Sequence, residues 1–136
     1  MLSPTLDTVR MFLHILAASV WVGGQIVLAG LVPSLRRAFP DSGKLIAQAF
    51  ARVAWPAFAI VVVTGLWSLS EISVTDTGTS YQVTLFVKVF LAIISGAAAA
   101  VHQVGRTKAA LAIGGALGLL AALGAMFCGY LLTTGT

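Results

Sequence analysis

Four long runs of mostly apolar residues dominate this chain, at about 9–32, 45–69, 83–104 and 109–132. The hydrocarbon core of a bilayer is about 30 Å thick, and roughly 20 residues of helix cross it. Each run is long enough. Polar segments separate them: PSLRRAFPDSGK, SEISVTDTGTSYQ and the short HQVGRTK. Only 9% of the 136 residues are charged, against 59% hydrophobic. A soluble domain is about one quarter charged, so this chain cannot coat a water-facing surface. The sequence predicts an all-α integral membrane protein. It forms a single domain over residues 1–136, with four transmembrane helices in an up-down-up-down bundle.

The first run is expected to be a retained membrane helix. Its leading segment carries Asp7 and Arg10 where a signal peptide would have a clear positive region, and the run exceeds the roughly 7–15 apolar residues of a signal core. Pro33 is expected to close this helix. Pro56, near the start of the second, is expected to end a short interfacial segment (44–55) or to kink the helix, because proline removes a backbone donor. The first loop carries Arg36, Arg37 and Lys44, with Arg52 nearby, and the third carries Arg106 and Lys108. Residues 70–82 carry only Glu71 and Asp76. Basic residues concentrate in cytoplasmic loops. Loops one and three are therefore expected inside, and loop two and both termini outside.

The net charge of +4 reads as topology. No basic cluster with interleaved aromatics points to nucleic acid. Cys128 is the lone cysteine, which excludes an internal disulfide and a multi-cysteine metal site. Gly114, Gly118, Ala122 and Ala125 recur at helical spacing in the fourth run. Such stripes let helices approach closely in lipid, within a chain or between chains. A homodimer is open on this reading.

Ionisable groups inside hydrocarbon are costly and turn toward partners. In the first run His14, Trp21 and Gln25 share one face, with Ala18 between them, since seven residues advance a helix by nearly two turns. In the third run Lys88, Ser95 and His102 are spaced by sevens. These stripes are expected to face inward and to line one polar seam. His14 and Lys88 belong to the outer half of the bundle, whereas His102 lies about 21 Å below Lys88 along the helix axis. The two histidines are therefore not expected to share one metal. His14 is the main candidate ligand, with Lys88 beside it. Met11, Trp21, Gln25, Ser95 and Cys128 are supporting candidates, and His102 is a second candidate on the cytoplasmic side. Trp67 and Tyr81 read as interfacial anchors.

The stretch FLHILAASVWVGGQIVLAGLVPSLRR resembles the first helix of the copper resistance protein D (CopD) family, with its histidine, W-V-G-G segment, proline and basic residues. RVAWPAFAIVVVTGLWSL and YQVTLFVKVFLAIISGAAAAVHQVGR are similar to the next two helices. The resemblance spans about residues 10–108. It implies copper handling at the bacterial inner membrane, with His14 and Lys88 as the residues that carry over. A more distant similarity is to the HemJ-type protoporphyrinogen oxidase family, four-helix membrane proteins in which a first-helix histidine precedes a tryptophan by seven residues and pairs with a third-helix lysine. His14, Trp21 and Lys88 fit that pattern, which implies haem b. The proline-arginine segment that follows the tryptophan closely in that family is absent here.

Three expectations follow. The chain binds or passes copper at a His14-centred site. Alternatively it binds haem b with His14 as axial ligand, for electron transfer or porphyrinogen oxidation; only then is it expected to be an enzyme, a membrane oxidoreductase. Alternatively it is a small structural subunit of a larger membrane complex, docked through the small residues of helix 4.

Overall fold

The computed structural model describes residues 1–135. Four helices account for nearly all of them: α1 (Leu6–Ala38), α2 (Gly43–Ser70), α3 (Thr79–Val104) and α4 (Lys108–Thr134). Short 3₁₀ turns at Pro40–Ser42 and Val74–Asp76 lie in the first two connections. There is no strand among the described residues. All four helices are long and apolar enough to cross a membrane.

The helix ends follow from local chemistry. Thr5 caps α1: its hydroxyl accepts from the Thr8 N–H at 3.2 Å, and the Thr8 hydroxyl accepts from the Thr5 N–H at 3.2 Å. Thr107 caps α4 by accepting from the Ala110 N–H at 3.0 Å. Pro33 does not close α1, contrary to the expectation from sequence. It sits inside the helix, where its ring forfeits one backbone bond. The stop comes at Pro40, which disfavours helical backbone in the residue before it. Phe39 accordingly turns out at φ −135°, ψ 81° after donating its N–H to Leu35 O. Arg36 and Arg37 occupy the last turn, where cations suit the negative end of the helix dipole. Pro56 likewise lies inside an unbroken α2 and is exposed, so no separate segment ends at residue 55.

The chain gathers into two compact units, Met1–Ile72 and the part from Ser73 onward. Each is a helical hairpin. In the first, α1 and α2 run antiparallel, and the partners descend α2 as they climb α1. The Arg10 guanidinium lies over the Trp67 ring, His14 meets Thr64, Trp21 meets Trp55 and Phe58, and Gly24 faces Phe50. Trp21 is the packing centre, 4.5 Å from the Phe58 ring and 5.4 Å from the Trp55 ring between centroids.

The second hairpin is built on small residues. Lys88 faces Gly129, Leu91 faces Gly124, and the Ser95 hydroxyl donates to Gly118 O at 2.9 Å. A Cβ on Gly114 would stand 2.9 Å from both Ala98 O and His102 N. Only glycine lets the two backbones come that close. The small-residue stripe of α4 is therefore occupied by α3 of the same chain, and that stripe is not a free docking face.

Burial is inverted relative to a water-soluble domain. Ala17, Ala54, Ala57, Ala98, Ala121 and Ala122 are buried, together with Thr64 and Ser95, while Phe86, Phe90, Ile93, Leu120 and Phe127 are exposed. In lipid the exposed large side chains meet hydrocarbon at no cost. Close packing of small residues and a few interhelical hydrogen bonds hold the helices together.

Candidate functional site

The site residues of the first hairpin lie along the face of α1 that meets α2. Residues 10, 14, 17 and 21 advance by three or four and so form one stripe. Arg10, Ala17 and Trp21 on it are buried and His14 is half-buried. The stripe runs through Ala17, one position from the Ala18 expected by spacing alone. Gln25, expected to join the stripe as a supporting polar group, donates its amide to Trp21 O of its own helix at 3.0 Å.

His14 is held from α2. Its Nδ1 lies 2.8 Å from the Thr64 hydroxyl. That hydroxyl also lies 2.6 Å from Ile60 O and 3.2 Å from Val61 O. A threonine hydroxyl has one proton, and the carbonyls can only accept. With that proton on Ile60 O, Thr64 accepts from the His14 Nδ1–H. In a neutral imidazole this tautomer places the lone pair on Nε2. Gly65, the next residue, lies beside the ring, where a Cβ would stand 3.6 Å from Cε1. Metal-binding histidines are oriented in this manner, with one ring nitrogen donating to a neighbour and the other turned to the metal.

One turn before His14, Arg10 is 9% exposed. Its Nη2 pairs with the Asp7 carboxylate at 3.2 Å, and its guanidinium carbon lies 5.8 Å from the centre of the Trp67 ring. Trp67 in turn donates its indole N–H to Glu71 at 3.2 Å. Arg10 Nε and Nη1 are buried with no hydrogen-bond partner among the described residues. Neither Arg10 nor Thr64 was singled out by the sequence as a site residue. For Arg10 a signal was present: it precedes His14 by four positions, on the same helix face. Thr64 carried none, because nothing local tells a threonine in an apolar run which helix it will meet.

Lys88, Ser95, His102 and Cys128 belong to the second hairpin. The Lys88 ammonium lies along Gly129, where a Cβ would stand 3.3 Å from Nζ, and Cys128, next to that glycine, is buried as a free thiol. Ser95 is buried on Gly118 O. His102 is exposed, and its Nδ1–H donates to Leu111 O across the turn between α3 and α4. This bond gives His102 a local structural task. Met11, on α1, is 41% exposed. Among the described residues, no three of the His, Cys, Asp and Glu side chains come together as a metal-holding group.

No protein-family model, no curated protein and no solved structure matches the chain.

Proposed function

We propose that this is a multi-pass protein of the bacterial inner membrane, with both termini outside, that handles copper through His14. The observation that carries the reading is the bond from His14 Nδ1 to Thr64. It fixes the ring and, by the tautomer argument above, turns Nε2 into a donor suited to Cu(I) or Cu(II). Copper here is cargo. A resident copper centre held by protein alone asks for several donors converging on one point, and the described residues offer no such group. An ion in transit needs fewer, with the Met11 thioether, three residues away on the same helix, as a soft neighbour. The resemblance to the CopD family points the same way.

The same donor set favours a second reading, haem b. A haem iron brings four nitrogens of its own and asks the protein for one or two axial ligands. A single oriented imidazole meets that need. Bound haem would supply a one-electron couple. The work of this chain would be to hold the His14 ring at a fixed angle through Thr64.

The test is the absorption spectrum and copper content of the detergent-purified full chain, oxidised and then reduced with dithionite, for wild type and His14→Ala. Copper that co-purifies with wild type and is lost in His14→Ala supports the copper reading. A Soret band with b-type bands, lost in the variant, moves the function to haem. If wild type holds neither ligand after copper or haemin is added back, His14 is not a metal ligand.

A further inference from the structure

The most anomalous polar group in the first hairpin is Arg10. It is buried in a chain whose helices are long and apolar enough to cross a membrane, and it pairs through Nη2 with the carboxylate of Asp7. Nε carries one N–H and Nη1 carries two. All three donors are removed from solvent and have no acceptor among the described residues. The Trp67 ring covers the guanidinium on the α2 side but offers only its π-face. Buried donors of a charged group that lack acceptors are costly for a fold to keep.

We infer that Arg10 is the anchor of an oxyanion site in the α1–α2 hairpin, one turn before His14, and that the ligand is a phosphate group. The planar guanidinium presents N–H pairs at the spacing of two phosphate oxygens. Asp7 takes part of one nitrogen and leaves the others to the ligand. The phosphate can be that of an anionic phospholipid headgroup or a free phosphate ion, and the chemistry at Arg10 is the same. The inference does not rest on whether His14 holds copper or haem.

The experiment uses the full-length protein, extracted in mild detergent, in four forms: wild type, Arg10→Gln, Arg10→Lys and Asp7→Asn. One arm measures phosphatidylglycerol retained per protein after exchange against phosphatidylcholine-only mixed micelles, by mass spectrometry. The other measures the shift in thermal unfolding with inorganic phosphate at constant ionic strength. A lipid source predicts retained phosphatidylglycerol in wild type, reduced about tenfold in Arg10→Gln, where the charge and the N–H fork are both lost. A free-ion source predicts a phosphate-dependent rise in unfolding temperature that disappears in Arg10→Gln, with no selective lipid retention. Arg10→Lys keeps the charge without the fork and is expected to fall between wild type and Arg10→Gln. Asp7→Asn removes the competing carboxylate and should bind phosphate more tightly than wild type, so the idea remains testable if Arg10→Gln does not fold. Equal lipid retention and equal phosphate response in wild type, Arg10→Gln and Asp7→Asn would overturn it. So would the absence of both responses in wild type.

Discussion

His14 and Thr64 are 50 positions apart in sequence and 2.8 Å apart across the first hairpin. Removing one side of that contact should be felt twice. Thr64→Val keeps the shape and deletes the hydroxyl that the half-buried imidazole bonds, at a cost of about 1–3 kcal/mol. The same change frees the ring to rotate. Loss of such an orienting partner typically weakens a metal site about 10–100-fold. Thr64→Ser keeps the hydroxyl and should retain most of both. Thermal unfolding and titration with Cu(I) or haemin, run side by side, check the two effects. If Thr64→Val loses stability but binds as wild type does, the bond is only structural. Sequence singled out His14 because an imidazole inside an apolar run is conspicuous. It passed over Thr64 because a threonine hydroxyl satisfies itself on its own helix, as Thr64 also does on Ile60 O, and so carries no sign of a distant partner. In the sequence Arg10 stands beside Asp7 as one charge of the leading segment. Its burial under Trp67 depends on where α2 ends, which one helix's pattern does not fix.

At the scale of helices, glycine means different things at different places. Gly114 lets the α3 backbone approach, and the atoms a methyl would meet there are Ala98 O and His102 N, both main-chain. Neither can move without shifting a whole helix. Gly114→Ala should therefore destabilise the second hairpin by about 1–3 kcal/mol, lowering the temperature at which helical circular dichroism is lost in detergent. Gly24→Ala builds its methyl 2.7 Å from Phe50 Cε2, nominally closer still. That atom is the far end of a side chain that can rotate aside, and alanine gains up to about 1 kcal/mol over glycine in a helix interior. Gly24→Ala should therefore come out near neutral. Equal losses for the two would show that distance alone, and not the nature of the neighbour, sets the cost. The existence of all four helices was legible because a bilayer demands length and apolarity together. The end of α1 was misread, because two prolines seven residues apart look alike in sequence. Pro33 is carried within the helix, whereas Pro40 acts on the backbone of Phe39 and stops it.

For the whole molecule, the strongest remaining asymmetry is the placement of charge. Arg36 and Arg37 end α1 and Lys44 opens α2, Arg106 precedes α4 and Lys108 opens it, and residues 70–82 hold no lysine or arginine. Translocating those basic loops would oppose the membrane potential and the anionic inner leaflet, each worth on the order of 1–2 kcal/mol per charge. With at least two charges on each of two loops, one orientation should prevail over its inverse. In a Cys128→Ser background, Thr77→Cys should react with a membrane-impermeant maleimide on intact bacterial spheroplasts, and Ser42→Cys only after lysis. Both positions lie in connections, Ser42 between α1 and α2 and Thr77 between α2 and α3, so labelling there reports sidedness. Neutralising Arg36, Arg37, Lys44, Arg106 and Lys108 to Gln while adding three lysines within residues 70–82 should invert the pattern. Labelling of Ser42→Cys on intact cells in the otherwise natural chain would put the termini inside. Arg10 and His14, which lie in the first turns of α1, would then face the cytoplasmic side, and copper or phosphate would reach them from within the cell.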